Sequence, residues 1–97
     1  MRLFRDYNIE KLKDPEDASL YLTEAFADFE RDHNMEGFFK VLHDVAQAQG
    51  GIGKLAKDST LNRQNLYKVF SAKRQPRLQT IGSILHSLGF RFQIVPR

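Results

Sequence analysis

The sequence predicts an all-α domain of five helices closed by a short C-terminal β-strand. Three observations carry that expectation. Apolar residues recur at three- and four-residue spacing through most of the chain. Helix-starting and helix-stopping residues interrupt that spacing at short intervals. Only residues 90–95 switch to strict alternation. With 97 residues, the chain fits one globular unit with a single core. In it, an arm and an acidic helix in residues 1–35 would pack on residues 36–97.

Residues 1–9 alternate weakly through Leu3, Phe4, Tyr7 and Ile9, as a short edge strand or an ordered arm would. Asp14-Pro15-Glu16-Asp17 then reads as a helix start. Asp14 can cap, proline suits the first helical position, and the acids suit the positive helix end. That helix should run to about residue 30 with Ala18, Tyr21, Leu22, Ala25, Phe26 and Phe29 buried. Asp32-His33-Asn34 breaks the pattern, and Asn34 can cap a second helix to about residue 49. Its stripe is Phe38, Phe39, Leu42, Val45 and Ala46, and Gly50-Gly51 ends it.

Three short helices should follow. Residues 52–59 offer Ile52, Leu55 and Ala56 to the core, and residues 62–71 offer Leu66, Val69 and Phe70. Residues 77–88 offer Leu78, Ile81, Ile84, Leu85 and Leu88, with Gly89 as the stop. Phe90, Phe92 and Ile94 then face one way, and Arg91 and Gln93 the other. A lone strand is unstable. The strand therefore needs either the arm at residues 3–7 or the same strand of a second subunit.

Charge is divided along the chain. Residues 1–36 carry a net −5, and residues 37–97 a net +8 with Asp44 and Asp58 as their only acids. A basic region poor in acids suits a polyanion, because each Lys or Arg on a phosphate releases counterions. The alternative is a solvated basic surface with no partner.

Enzyme chemistry finds little support. The chain has no cysteine, which excludes disulfides, thiolate metal sites and cysteine nucleophiles. His33, His43 and His86 have no metal-type spacing, and Asp44 beside His43 should point elsewhere on a helix. Ser59, Ser71, Ser83 and Ser87 lack a nucleophile's setting. Gly50-Gly51-Ile52-Gly53 lacks the Lys-Ser/Thr of a phosphate loop. No cofactor or metal is expected. No apolar run reaches a membrane span, and Met1–Arg5 lacks the apolar stretch of a signal peptide. The expectation is a soluble cytoplasmic, nucleoid-associated protein.

Residues 52–70 have the pattern of a helix-turn-helix. Such a motif needs a small residue where its second helix crosses the first, and a second helix with one buried and one polar face. Leu55-Ala56 supplies the first need. Ser59-Thr60-Leu61 forms the turn, Leu61 plugs it, and Asn62 can cap the second helix. On a helical wheel Arg63 falls in the same half as Leu66, Val69 and Phe70. Gln64 and Lys68 point away, with Asn65 and Tyr67 to the side. This acid-free face suits a major groove, where Arg favours guanine, Gln and Asn favour adenine, and Lys serves guanine or phosphate. Arg63 and Gln64, near the helix N-terminus, are the leading base readers, and Lys68 follows. Asn65 and Tyr67 suit phosphate or sugar. Lys73, Arg74 and Arg77, in the loop beyond, suit the backbone. The alternative is an amphipathic helix followed by a solvated loop.

Residues 51–95 resemble the Xre-type, lambda-repressor-like helix-turn-helix of addiction-module antidote proteins, the HigA-like antitoxins. Leu55-Ala56-Lys57, Leu61-Asn62-Arg63, Leu66-Tyr67, Pro76-Arg77-Leu78, Thr80 and Leu88-Gly89 carry the likeness, with the closing strand. Asp14-Pro15-Glu16-Asp17 and Tyr21-Leu22 are similar to the family's N-terminal helix. Thr60 departs from the usual turn glycine. A β-branched residue resists positive φ, so the turn there has another shape or carries strain.

The resemblance implies an antitoxin that neutralises a small basic toxin and represses its own operon. It would bind double-stranded operator DNA as a symmetric homodimer, with recognition helices about 34 Å apart. Six acids and no basic residue in residues 14–30 offer a face to a basic toxin, or merely a solvated helix surface. The alternatives are a free-standing regulator without a toxin and an interaction module that binds no DNA.

Overall fold

The computed structural model describes residues 9–71 and 75–97. Its five α-helices are α1 (Pro15–Asp32), α2 (Glu36–Ala48), α3 (Ile52–Asp58), α4 (Arg63–Phe70) and α5 (Leu78–Ser87). The expected helices are all present, with ends displaced by a residue or two, as fraying termini allow.

Local chemistry explains where they start and stop. The Asp14 carboxylate accepts a hydrogen bond from the Glu16 backbone N–H at 2.8 Å, and Pro15 opens α1. His33 ends α1 in the left-handed region at φ 60°, its N–H donating to the Phe29 carbonyl. Histidine is among the few residues enriched there. Asn34 falls one residue short of the expected cap. Met35 holds the N-cap position of α2, and the Asn34 side chain instead accepts from the Glu36 N–H at 2.9 Å. Gly50 and Gly51 take φ of 125° and 95°, which lets the chain reverse between α2 and α3.

The core forms around α2, which packs against α1, α3 and α4. Phe38, Phe39, Leu42, Val45 and Ala46 are buried as expected, and so are Val41 and Asp44. A helix with neighbours on several sides buries more than one stripe. Ala18, Leu22 and Ala25 of α1, Ile52 and Leu55 of α3, Leu66 and Val69 of α4, and Ile81, Ile84 and Leu85 of α5 complete the core.

Three further features depart from the sequence expectation. Residues Ile9–Lys13 form a 3-10 helix whose Leu12 is fully buried against α1 and α2. The Gln49 side-chain amide fastens it, donating to the Leu12 carbonyl at 2.8 Å and the Lys13 carbonyl at 3.2 Å. Leu78, expected in the core, is 73% exposed because it opens α5 before the first full turn meets the other helices.

The third is the C-terminal strand, which is not formed. Residues 90–97 have no regular secondary structure, and no described residue pairs with them in a ladder. A strand requires such a neighbour to satisfy its backbone. Phe90 still packs on the core, and Phe92 reaches Phe26 of α1 with ring centres 6.1 Å apart. Ile94 is 98% exposed. The arm at residues 3–7, one of the two expected strand partners, lies outside the described residues.

Candidate nucleic-acid interface

Helix α4 is built to be held from one side. Leu66 is fully buried and Val69 nearly so, three residues apart on one face. Phe70 beside them lies 5.1 Å, ring to ring, from His43 of α2. Asn62 caps the helix, its side-chain oxygen accepting from the Asn65 N–H at 2.8 Å. The other side of α4 faces outward: Gln64, Asn65, Tyr67 and Lys68 are exposed, as are Asn62 and, at the edge of the buried side, Arg63.

The turn before α4 resolves the question raised by Thr60. His33 is the only described non-glycine residue with positive φ, so Thr60 carries no strain of that kind and the turn has another shape. The Ser59 hydroxyl accepts from the Leu61 N–H at 3.2 Å, a local bond that folds the chain back without glycine. Leu61 is half-buried beneath the turn, as expected.

Arg77 is exposed at the N-cap position of α5, its carbonyl accepting from Thr80 and Ile81. Lys73 and Arg74 lie outside the described residues.

Some of the cations around this surface are paired with acids, although among the described residues Lys57 of α3 is not. Lys54 of α3 is bound to Asp58 at 2.6 Å, and Lys40 of α2 to Asp44 at 3.2 Å. Among the described residues, no carboxylate pairs with Arg63, Lys68 or Arg77. Their charge is therefore uncancelled locally and directed outward.

Two contacts were not foreseen. His43 Nδ1 approaches Asp44 Oδ1 to 3.6 Å, although neighbouring helix residues usually diverge. The Arg63 guanidinium lies over Gly53 of α3. The helical wheel held a signal for the second contact, since it grouped Arg63 with the buried residues of α4.

Other chemistry has little to build on. Among the described residues, no group of three or more His, Cys, Asp or Glu could hold a metal ion. A cleft of about 190 Å³ between α3 and the end of α5 is lined in part by the Lys54–Asp58 pair. It falls below the roughly 300–1,000 Å³ of small-molecule sites. No described helix is long and apolar enough to cross a membrane.

A family model described as "Probable addiction module antidote protein" matches residues 4–96. The chain belongs to this family. Membership in the antidote family points to an antitoxin role and implies a toxin partner, and no enzymatic family is indicated. The chain is also 29% identical over 91 residues to an uncharacterized protein of Haemophilus influenzae, a match covering 93% of this chain and 89% of that relative. No solved structure matches the chain.

Proposed function

We propose that this antidote-family protein is a sequence-specific DNA-binding antitoxin of Xre type that represses its own operon and neutralises a partner toxin. The outward face of α4 carries the DNA reading. It has amides, cations and no acid, and its cations lack carboxylate partners among the described residues. In this reading α3 and α4 form the helix-turn-helix, and α4 enters the major groove. Gln64 and Lys68 meet base edges, since they share one helix face at four-residue spacing. Asn62, Asn65 and Tyr67 serve phosphate or sugar, and Arg77 grips the backbone together with Lys73 and Arg74.

The operator would be held by a homodimer. Leu78, Ile94 and Val95 are large exposed apolar side chains at the start of α5 and in the tail. Covering them with a second copy would give residues 90–95 the strand partner that no described residue supplies. Residues 1–35 would pack on residues 36–97 as one unit, which the contact between α1 and α2 supports. The acidic face of α1 is the surface offered to a basic toxin, where charge complementarity would speed capture. The protein would act in the cytoplasm, at the nucleoid.

A mobility shift on the DNA upstream of its gene, with co-purification of the neighbouring gene product, tests this reading. Salt-sensitive, sequence-selective binding together with a captured small basic protein is expected. Absence of DNA binding at low salt would remove the repressor role. DNA binding without a captured partner would leave a free-standing regulator.

A further inference from the structure

We propose that Arg63 grips a phosphate from a seat on α3 rather than reading a base, and that Gly53 is the positioning residue that provides the seat. The inference rests on the DNA reading of α4 and revises one part of it, the expectation that Arg63 is a leading base reader.

A side chain at position 53 would bring its Cβ within 3.2 Å of Arg63 Nη2 and 3.8 Å of Cζ. The flat guanidinium therefore lies against the open side of Gly53 in the first turn of α3, so close that a side chain there would disturb it. The other helical glycines differ. A Cβ at Gly37 or Gly82 would meet nothing within 4 Å. Among them, only at Gly53 would a side chain meet a neighbour from another helix.

The direction of Arg63 follows from this contact. It leaves the first turn of α4 and lies back on α3, away from the line of Gln64 and Lys68. In a helix-turn-helix the second helix enters the groove while the first crosses the sugar-phosphate backbone. A guanidinium resting on the first helix sits on the backbone side. Arg63 remains exposed and has no carboxylate partner among the described residues, so its outer N–H groups are available to a phosphate. Lysine could not reproduce this, because it lacks the planar fork.

The test measures binding of wild type, Arg63→Ala and Gly53→Ala to the upstream duplex at graded salt, with selection of preferred sequences from a randomised duplex pool. Arg63→Ala should weaken binding to every duplex by the same factor, about tenfold. It should lower the salt slope by about one and leave the selected sequence unchanged. Gly53→Ala should fold at least as well, since alanine favours helix. By displacing the guanidinium from its seat by a few tenths of an ångström it should reproduce part of the same loss, again equally on every duplex. A changed base at one selected position with an unaltered salt slope in Arg63→Ala would make Arg63 a reader and overturn the proposal. Wild-type affinity and slope in Gly53→Ala would overturn it too, by showing that the glycine provides no seat. If wild type binds no duplex at low salt, the DNA reading itself fails and this inference falls with it.

Discussion

Helices α1 and α4 both present a surface dominated by one sign of charge, yet they use it differently. On α1 most acids have a local structural task. Asp14 caps the helix, and Glu16 and Asp17 occupy its first turn, where the helix dipole favours negative charge. Asp28 pairs with Arg31, and Asp32 accepts from the Asn34 N–H at 2.9 Å. Glu24 and Glu30 alone have no such task. At α4 Asn62 caps the helix, Arg63 rests on Gly53 and Lys68 stands in the last turn, where the dipole favours a cation. Gln64 has no such task, and neither cation has a carboxylate partner among the described residues. A one-signed stretch of sequence is thus weak grounds for a binding face when the fold itself uses the charges. It is stronger grounds when the fold leaves them idle.

Substitutions on the two helices can break or sharpen that contrast. The largest effect belongs to the buried side of α4. Leu66→Ala should cost about 2–5 kcal/mol in chemical denaturation, because it opens a cavity where α4 seats on the core. Gln64→Ala should cost about 1–3 kcal/mol of operator affinity and relax preference at one base pair, while stability stays within about 0.5 kcal/mol of wild type. A loss of stability in its place would show that the outward face of α4 has structural work after all.

The two caps come next. Asp14→Ala and Asn62→Ala should each cost about 1 kcal/mol of stability by thermal or denaturant unfolding. Only Asn62→Ala should also weaken DNA binding. Smallest in stability terms is the double reversal Glu24→Lys with Glu30→Lys, expected within about 0.5 kcal/mol of wild type. It should slow association with a basic toxin in a stopped-flow or surface-binding measurement. Unchanged association at low salt would remove the acidic face from toxin capture.

Legibility in the sequence followed the range of the interaction. Asp14-Pro15, Gly50-Gly51 and Gly89 mark helix ends through backbone chemistry a few residues long, and they stand where the sequence put them. The buried stripe of α2 was readable from its period. Val41 was not, because it is buried by neighbours that only the tertiary arrangement supplies. The 3-10 helix carrying Leu12 gave no periodic signal in five residues, and its anchor, Gln49, is 37 positions away. Leu78 fits the period of α5, yet no described residue reaches the start of that helix closely enough to bury it. The strand at residues 90–95 has the right alternation, but a strand exists only with a partner, and alternation does not provide one.

The candidate site divides the same way. The exposed face and cap of α4 were readable from a helical wheel and one asparagine. The wheel also put Arg63 on the buried side of α4, but its seat on Gly53 was not readable, because the contact joins two helices across a turn whose shape Ser59 sets.

The most direct test of the central claim, that the outward face of α4 is the DNA surface, is an amide NMR titration of the protein with its upstream duplex. The account predicts shifts concentrated in residues 62–68 and at Arg77, with α1 nearly silent. Shifts concentrated on α1, or none at a duplex concentration that saturates a mobility assay, would contradict it.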